Sequence, residues 1–89
     1  MATLVHDHHV HVRTPEDLVY VPRTYASRQP DGKWKGWVEF KPLDSGAPKL
    51  MTDVETTQGS LEAIESWALG LEATYFEGAF ARAHIVAAR

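Results

Sequence analysis

Four histidines near the start of the chain form the pattern that most directly suggests metal chemistry. They follow the spacing H-x-H-H-x-H, at His6, His8, His9 and His11. Imidazole is the commonest metal ligand, and zinc or nickel would accept such a cluster. In an extended chain, however, side chains alternate between faces, which separates His6 and His8 from His9 and His11. Asp7 shares the second face and would bring that set to three ligands, where a tight site needs three or four. We favour a flexible arm that binds metal only adventitiously, keep the four histidines as weak metal candidates, and predict no cofactor.

Aromatic residues interleaved with lysines form a second pattern, at Trp34-Lys35-Gly36-Trp37, with Tyr25 and Lys41 extending it. Aromatic platforms flanked by cations suit single-stranded nucleic acid, through base stacking and phosphate contacts. The alternative, which we favour, places Trp34 in the core and leaves Trp37 half-buried. Nucleic-acid binding by a basic β-hairpin stays as the second hypothesis, and its candidate residues are Arg23, Arg28, Lys33, Lys35 and Lys41.

The acidic and serine residues show no catalytic arrangement. Asp53 and Glu55 share a predicted strand face, and Glu62 and Glu65 lie one helical turn apart. A catalytic carboxylate pair needs a cleft and perturbed pKa values, and a chain this short supplies no cleft. The serines lack the glycine pattern of a nucleophile elbow, and the glycines form no phosphate-binding loop. We predict that the protein is not an enzyme, and we infer no small-molecule substrate.

Length and composition limit the architecture. The chain has 89 residues and a mass of 10.0 kDa, enough for one domain with one modest core. Hydrophobic residues make up 44% and charged residues 24%, which is typical of a soluble globular domain. No apolar run reaches the roughly 18 residues of a membrane span. Cysteine is absent, which excludes disulfides and thiolate chemistry, so we expect a cytoplasmic protein.

Charge is unevenly distributed along the chain, although the net charge is only −3. Basic residues predominate between Arg23 and Lys49, whereas the segment from Asp53 to Glu77 carries acids and no lysine or arginine. One interpretation is two solvated faces that attract each other weakly. The other is a basic strand surface for an anionic partner, with an acidic helix facing elsewhere.

The predicted fold class is α+β, with a three-stranded antiparallel sheet packed on one face by a C-terminal helix. The strands are expected at about 19–27, 33–41 and 49–55, with Pro22 indicating a sheet edge or a bulge. Ser60 predicts a helix start, and Gly70 and Gly78 predict a bend or split near 70–78. We divide the chain into a flexible His-rich arm at 1–17 and a single domain at 18–89.

Three segments together resemble part of a known family. They are DGKWKGWVEFKPL at 31–43, TTQGSLEAIESWALGLE at 56–72 and YFEGAF at 75–80. The order of hairpin, third strand, capped helix and alanine-rich helix is similar to the partial RNase-H-like domain of HicB-type antitoxins, which are bacterial. The resemblance covers residues 31–80 and implies partner binding without catalysis. The same β-β-β-α order is also similar to the small DNA-binding modules of phage integrases.

The leading hypothesis is therefore a small binding or adaptor domain that acts through protein–protein contacts or self-association, with a dimer as one form. A single helical layer would cover one face of the sheet and leave aromatic rings on the other. Buried aromatic anchors dominate small interfaces, so we expect the partner-binding residues to be Trp37, Tyr25 and Phe76.

Overall fold

A computed structural model describes residues 1–86, so the last three residues of the predicted 18–89 domain lie outside the described range. The fold is α+β, as predicted, with an antiparallel sheet and two helices. The sheet has seven strands among the described residues, so the prediction of three was wrong. In chain order the elements are β1 Ala2–Asp7, β2 Val12–Arg13, β3 Val19–Arg28, β4 Trp34–Pro42, β5 Leu50–Met51, β6 Thr56–Gln58, α1 Leu61–Leu69, α2 Ala73–Arg82 and β7 His84–Ile85.

The hairpin of β3 and β4 forms the centre of the sheet and matches the predicted first two strands. Its turn contains Gly32 at φ 86°, a left-handed conformation that glycine adopts without a Cβ clash. The Lys33 amide donates to the Asp31 carboxylate at 2.9 Å and closes the turn. Alternation along β4 buries Val38 and Phe40 on one face, as the sequence pattern predicted.

The segment 1–17, expected to be a flexible arm, instead supplies two strands to the sheet. β1 pairs with one half of β3, and β2 pairs with the other half. A bulge between Leu4 and His6 inserts Val5 into β1. The extra residue breaks the alternation of apolar and polar side chains by which a strand is recognised in a sequence. His8 follows β1 and is buried at 6% exposure, so the histidine-rich stretch is part of the packed domain.

Pro22 lies in the middle of the sheet, although the sequence suggested an edge or a bulge. Its carbonyl accepts from the His8 amide at 3.1 Å, on the side where β1 has ended and β2 has not begun. Because a residue's N–H and C=O point to the same side of a strand, the donor that proline lacks would face this gap. The position therefore behaves locally as an edge within a central strand.

The predicted third strand, at about 49–55, is divided into β5 and β6, and both pair with β4. Thr52 lies between them and is fully buried. Its amide donates to the Val38 carbonyl at 2.9 Å, and its hydroxyl accepts from the Val38 amide at 3.1 Å. The hydroxyl thus takes the place of a backbone carbonyl, which lets the chain leave the ladder without an unpaired buried amide.

The helical region is split into two helices, consistent with the predicted bend or split near 70–78. Ser60 caps α1, and its hydroxyl accepts from the Ala63 amide at 3.1 Å. Gly70 ends α1, three residues before α2 begins. No helix in the described range is long and apolar enough to cross a membrane.

Both helices pack on the same face of the sheet. A Cβ on Gly36 would lie 3.1 Å from Thr56 Cγ2 and 3.3 Å from Ile64 Cδ1, so a larger residue there would have to displace these side chains by a few tenths of an ångström. Glycine at this position therefore favours the close approach of α1 to β4. In α2, Phe80 contacts the rings of Tyr20 and Phe40, each at a centroid distance of 5.1 Å. The buried apolar residues are Val12, Tyr20, Ala26, Val38, Phe40, Ile64, Ala68, Phe76 and Ala79.

Candidate functional site

An apolar row crosses the face of the sheet opposite the helices, which we call the open face. Leu4 of β1 is in register with Tyr25 of β3, and Tyr25 is in register with Trp37 of β4. Residues in register point to the same side of a sheet, so the three side chains form one stripe across three strands. Leu4 is 47% exposed, and the two aromatic residues are partly exposed. We call these three residues the aromatic stripe.

The two rings of the aromatic stripe hold each other in place. The Tyr25 and Trp37 rings are stacked, with centroids 6.4 Å apart and planes 15° from parallel. The Trp37 indole N–H also donates to the Glu39 carboxylate at 3.2 Å. The indole is therefore fixed by a stacking contact and a hydrogen bond, which lowers the entropy that it would lose on binding a partner.

Charged residues border the aromatic stripe on one side. Arg23 lies opposite both Asp7 and Glu39 in the sheet register, and its Nε is 3.5 Å from the Asp7 carboxylate. Glu39 forms an ion pair with Lys49 at 3.4 Å. This row alternates acid and base and is largely compensated within the chain.

Two further lysines of the open face, Lys35 and Lys41, form no ion pair among residues 1–86. Lys35 precedes Trp37 by two residues on β4, and Lys41 lies beyond Glu39 on the same strand. Both are exposed. The open face therefore has a local excess of positive charge on a chain whose net charge is −3.

A shallow cavity of about 330 Å³ opens beside the aromatic stripe. It is lined by Trp37 together with residues of β5 and of the loop that follows, namely Met51, Thr52, Asp53 and Val54. Met51 is in register with Glu39 and so belongs to the open face. The cavity volume is at the lower end of the range for small-ligand sites and also suits one large apolar side chain.

The structure separates the three predicted partner-binding residues. Trp37 and Tyr25 lie together on the open face, whereas Phe76 is 1% exposed and lies in the core. The expectation that Phe76 would be an anchor at the surface was wrong, because its ring packs against the buried His8 ring at 4.5 Å. Its neighbour Tyr75 is the half-exposed aromatic residue of that pair.

The predicted basic hairpin residues do not converge on one surface. Arg28 is in register with Trp34 on the helix-covered side, whereas Lys35 and Lys41 point to the open face. Arg23 lies on the open face but is engaged by Asp7. The fifth residue, Lys33, lies in the turn before β4.

The four histidines of the N-terminal pattern have different surroundings. His8 Nε2 is 2.7 Å from the Thr24 hydroxyl in the core. His6 lines a cavity of about 190 Å³ between β1 and α1, whereas His9 and His11 are exposed. Among residues 1–86, no group of three or more His, Cys, Asp or Glu side chains is arranged to hold a metal ion.

Burial changes the protonation behaviour of His8. Desolvation, reinforced by the charge of neighbouring His6, lowers the pKa of His8 to about 4. Because the ring is neutral near pH 7, it can pack against Phe76 without placing a charge in the core.

The acidic residues considered as catalytic candidates are ion-paired or exposed. Glu55 accepts hydrogen bonds from the Tyr75 hydroxyl and from Arg82, the latter at 2.6 Å. Although burial alone would raise it, these hydrogen bonds hold the pKa of Glu55 below its usual value. Burial and the neighbouring Glu55 raise the pKa of Tyr75, so its hydroxyl stays a donor. We interpret the cluster as a tie between α2 and the loop after β5.

Comparisons with family models, with curated proteins and with solved structures give no match for this chain. The resemblance to HicB-type antitoxins therefore stays a prediction.

The sequence pattern missed two members of the open face. Leu4 was noted only as part of a short N-terminal strand, and its place beside Tyr25 depends on a pairing between distant segments. Met51 lies in a two-residue strand, too short to show alternation. The signal that was available is the alternation of β4, which correctly separated Trp37 from Val38 and Phe40.

Proposed function

We propose that the protein is a small non-catalytic binding domain that acts through protein–protein contacts, with the aromatic stripe as its docking surface. The observation that carries the proposal is the in-register row of Leu4, Tyr25 and Trp37 on the face that no helix covers. Preordered aromatic side chains bury a large area at low entropic cost, which makes them effective anchors. The cysteine-free composition supports the cytoplasm as the place where it acts.

The surroundings of the aromatic stripe define the kind of protein surface that fits it. Lys35 and Lys41 favour acidic groups at the rim, where opposite charges speed association and select the partner. The cavity beside Trp37 favours one apolar side chain at the centre. The matching surface thus has an apolar centre and at least one acidic group at its edge, opposite Lys35 or Lys41.

A photo-crosslinking experiment tests this proposal. A benzophenone amino acid replaces Lys41, which is exposed at the margin of the open face, and in a matched control it replaces Glu77, which is exposed on α2. After irradiation in the host cell, we expect a covalent protein adduct from position 41 and none from position 77. Either a second copy of the chain or another protein meets this expectation. Adducts from position 77 alone, or no protein adduct from position 41, would overturn the proposal.

Nucleic-acid binding is the alternative function, and the stacked rings between Lys35 and Lys41 favour it. Bases could stack on Trp37 while the lysines contact phosphates. The dispersion of the other basic residues weighs against it, because Arg28 lies on the opposite face. A gel-shift titration at low salt distinguishes the two functions. If the wild-type chain retards a single-stranded probe and the Trp37→Ala variant does not, the result supports nucleic-acid binding. If the wild-type chain does not retard the probe, nucleic-acid binding is rejected.

A further inference from the structure

We infer that the aromatic stripe is the contact surface of a symmetric dimer, in which a second copy of this chain packs face to face about a twofold axis running along the stripe. This inference rests on the proposed function and names its partner. The order of charged and polar residues on either side of the aromatic stripe and the area of the open face support this dimer.

Charge on β4 is arranged antisymmetrically about the aromatic stripe. Lys35 and Glu39 lie two residues before and two residues after Trp37 and point to the same face. Each is therefore about 7 Å from Trp37 along the strand. A twofold axis through the stripe exchanges its two sides, so Lys35 of one copy lies opposite Glu39 of the other. The same operation repeats the pair, which gives two complementary contacts at these positions. Lys41, which lies four residues after Trp37, faces Lys33 in the turn of the other copy, at the margin of the contact.

The same operation acts favourably on β3. Arg23 and Ser27 lie two residues on either side of Tyr25, so Arg23 of one copy lies opposite Ser27 of the other. Among residues 1–86, Arg23 Nε is buried and finds no hydrogen-bond acceptor, although Asp7 lies 3.5 Å away. Because that atom is already buried within the chain, a serine hydroxyl from the second copy would accept instead from the exposed part of the Arg23 side chain, which is 30% exposed.

A packing about an axis that runs parallel to the strands and passes over β4 is disfavoured by the same residues. Such an axis keeps each position along the strands at the same level, so Lys35 would approach Lys35 of the other copy. Glu39 would likewise approach Glu39. Like charges brought together at an interface oppose association, so the charge order disfavours that axis. An axis between β3 and β4 would instead place Glu39 opposite Arg23 and Lys35 opposite Ser27. Under that axis Lys35→Glu would not weaken the dimer, so the charge reversals below distinguish it from the axis along the stripe.

The open face is large enough for such a contact. β3 and β4 have ten and nine residues, which correspond to a length of about 30 Å. Four adjacent strands add a width of about 20 Å, so the flat area is about 600 Å² and the accessible area is larger. A stable interface buries about 800 Å² on each partner. Two sheets can pack in this way with their inner side chains interleaved, as in a β-sandwich.

Charge reversal tests the dimer. We expect the wild-type chain to sediment as a dimer, and Lys35→Glu or Glu39→Lys to weaken the dimer at least about tenfold, because each places like charges in opposition twice. Mixing the two variants should restore dimers, since the acidic positions 35 and 39 of one variant then meet the basic positions 39 and 35 of the other. The double variant, Lys35→Glu with Glu39→Lys, should also dimerise by itself.

Matched controls separate these effects from net charge and from folding. Arg28→Glu makes the same charge change on the helix-covered side of β3, and Glu77→Lys makes the opposite one on α2, so both should remain dimeric. The Glu39→Lys variant also loses the ion pair with Lys49 and the hydrogen bond from Trp37, so circular dichroism is used to check that it stays folded.

Two results would overturn the dimer. One is a wild-type chain that is monomeric at every concentration, and the other is a dimer that is insensitive to both charge reversals. Either result leaves the proposed function standing if position 41 still forms crosslinks to another protein. If no protein adduct forms at position 41, the proposed function fails as well.

Discussion

The two faces of the central hairpin carry side chains from the same two strands, yet their packing differs completely. On the covered face, Val38 and Phe40 are fully buried against the helices. On the open face, Tyr25 of β3 and Trp37 of β4 contact each other and remain partly exposed. Both faces contain aromatic residues, so the presence of aromatic residues alone does not reveal which face carries the core.

Polar groups make the difference between the faces clearer. On the covered face they are small and locally hydrogen-bonded, as in the Thr24 hydroxyl beside His8. On the open face they are long and charged, as in Arg23 and Lys35, and keep contact with water. The covered face is buried in the folded chain, whereas the open face has the mixture of apolar and charged groups that the proposed reversible contact requires.

Truncating one aromatic residue on each face gives the largest expected contrast in stability. Phe76→Ala leaves a cavity between α2 and His8 and should lower the free energy of unfolding by about 3–5 kcal/mol. Trp37→Ala loses only a half-exposed stacking contact and should cost about 1 kcal/mol. Urea denaturation monitored by circular dichroism measures both.

If Phe76→Ala does not fold, Phe76→Leu provides the comparison, with an expected loss of about 1–2 kcal/mol. Both measurements are made at a concentration at which the chain is monomeric, so that any self-association does not contribute. Equal losses for the two sites would show that Trp37 supports the core and would remove the distinction between the faces.

The central hairpin, the helix cap and the division of the helices could be predicted from sequence because their signals are local. Ser60 and Gly32 act within a few residues of themselves, and the alternation of β4 is read along one strand. The identity of the buried face was predictable for the same reason.

The remaining strands could not be predicted because they depend on distant pairing. The bulge at Val5 hides the alternation of β1, and three other strands have only two residues each. The inward orientation of Phe76 depends on His8, which the sequence pattern placed in a flexible arm. A burial that depends on a neighbour 68 positions away leaves no local signal.

The buried histidine should make the covered face sensitive to acid. Since folding lowers the pKa of His8 from 6.5 to about 4, the unfolded chain binds one more proton between these values. The stabilisation is complete above pH 6.5 and is lost as the pH falls toward 4. We expect the free energy of unfolding to be about 1–2 kcal/mol lower at pH 5 than at pH 7, as measured by urea denaturation at each pH.

Two variants isolate the contribution of His8 to this pH dependence. His8→Gln should remove most of the decrease in the free energy of unfolding between pH 7 and pH 5, whatever the effect of the substitution on stability at pH 7. His9→Asn, which changes the adjacent exposed histidine, should retain it. A decrease that is the same in both variants would assign the acid sensitivity to other groups.

The smallest expected effects concern the loop that joins the two faces. This loop carries Asp53 and Val54 into the open-face cavity, while Glu55 accepts from Tyr75 and Arg82 of α2 on the covered side. Tyr75→Phe removes one donor to a partly buried carboxylate and keeps the ring in contact with Trp67, so it should cost about 1 kcal/mol. His84→Ala breaks the exposed pair with Asp53 and should change stability by less than about 0.5 kcal/mol. Urea denaturation at pH 7 measures the free energy of unfolding of both variants. A larger loss of stability for His84→Ala than for Tyr75→Phe would mean that the pair of His84 with Asp53 holds the loop, and that Glu55 does not tie α2 to the loop.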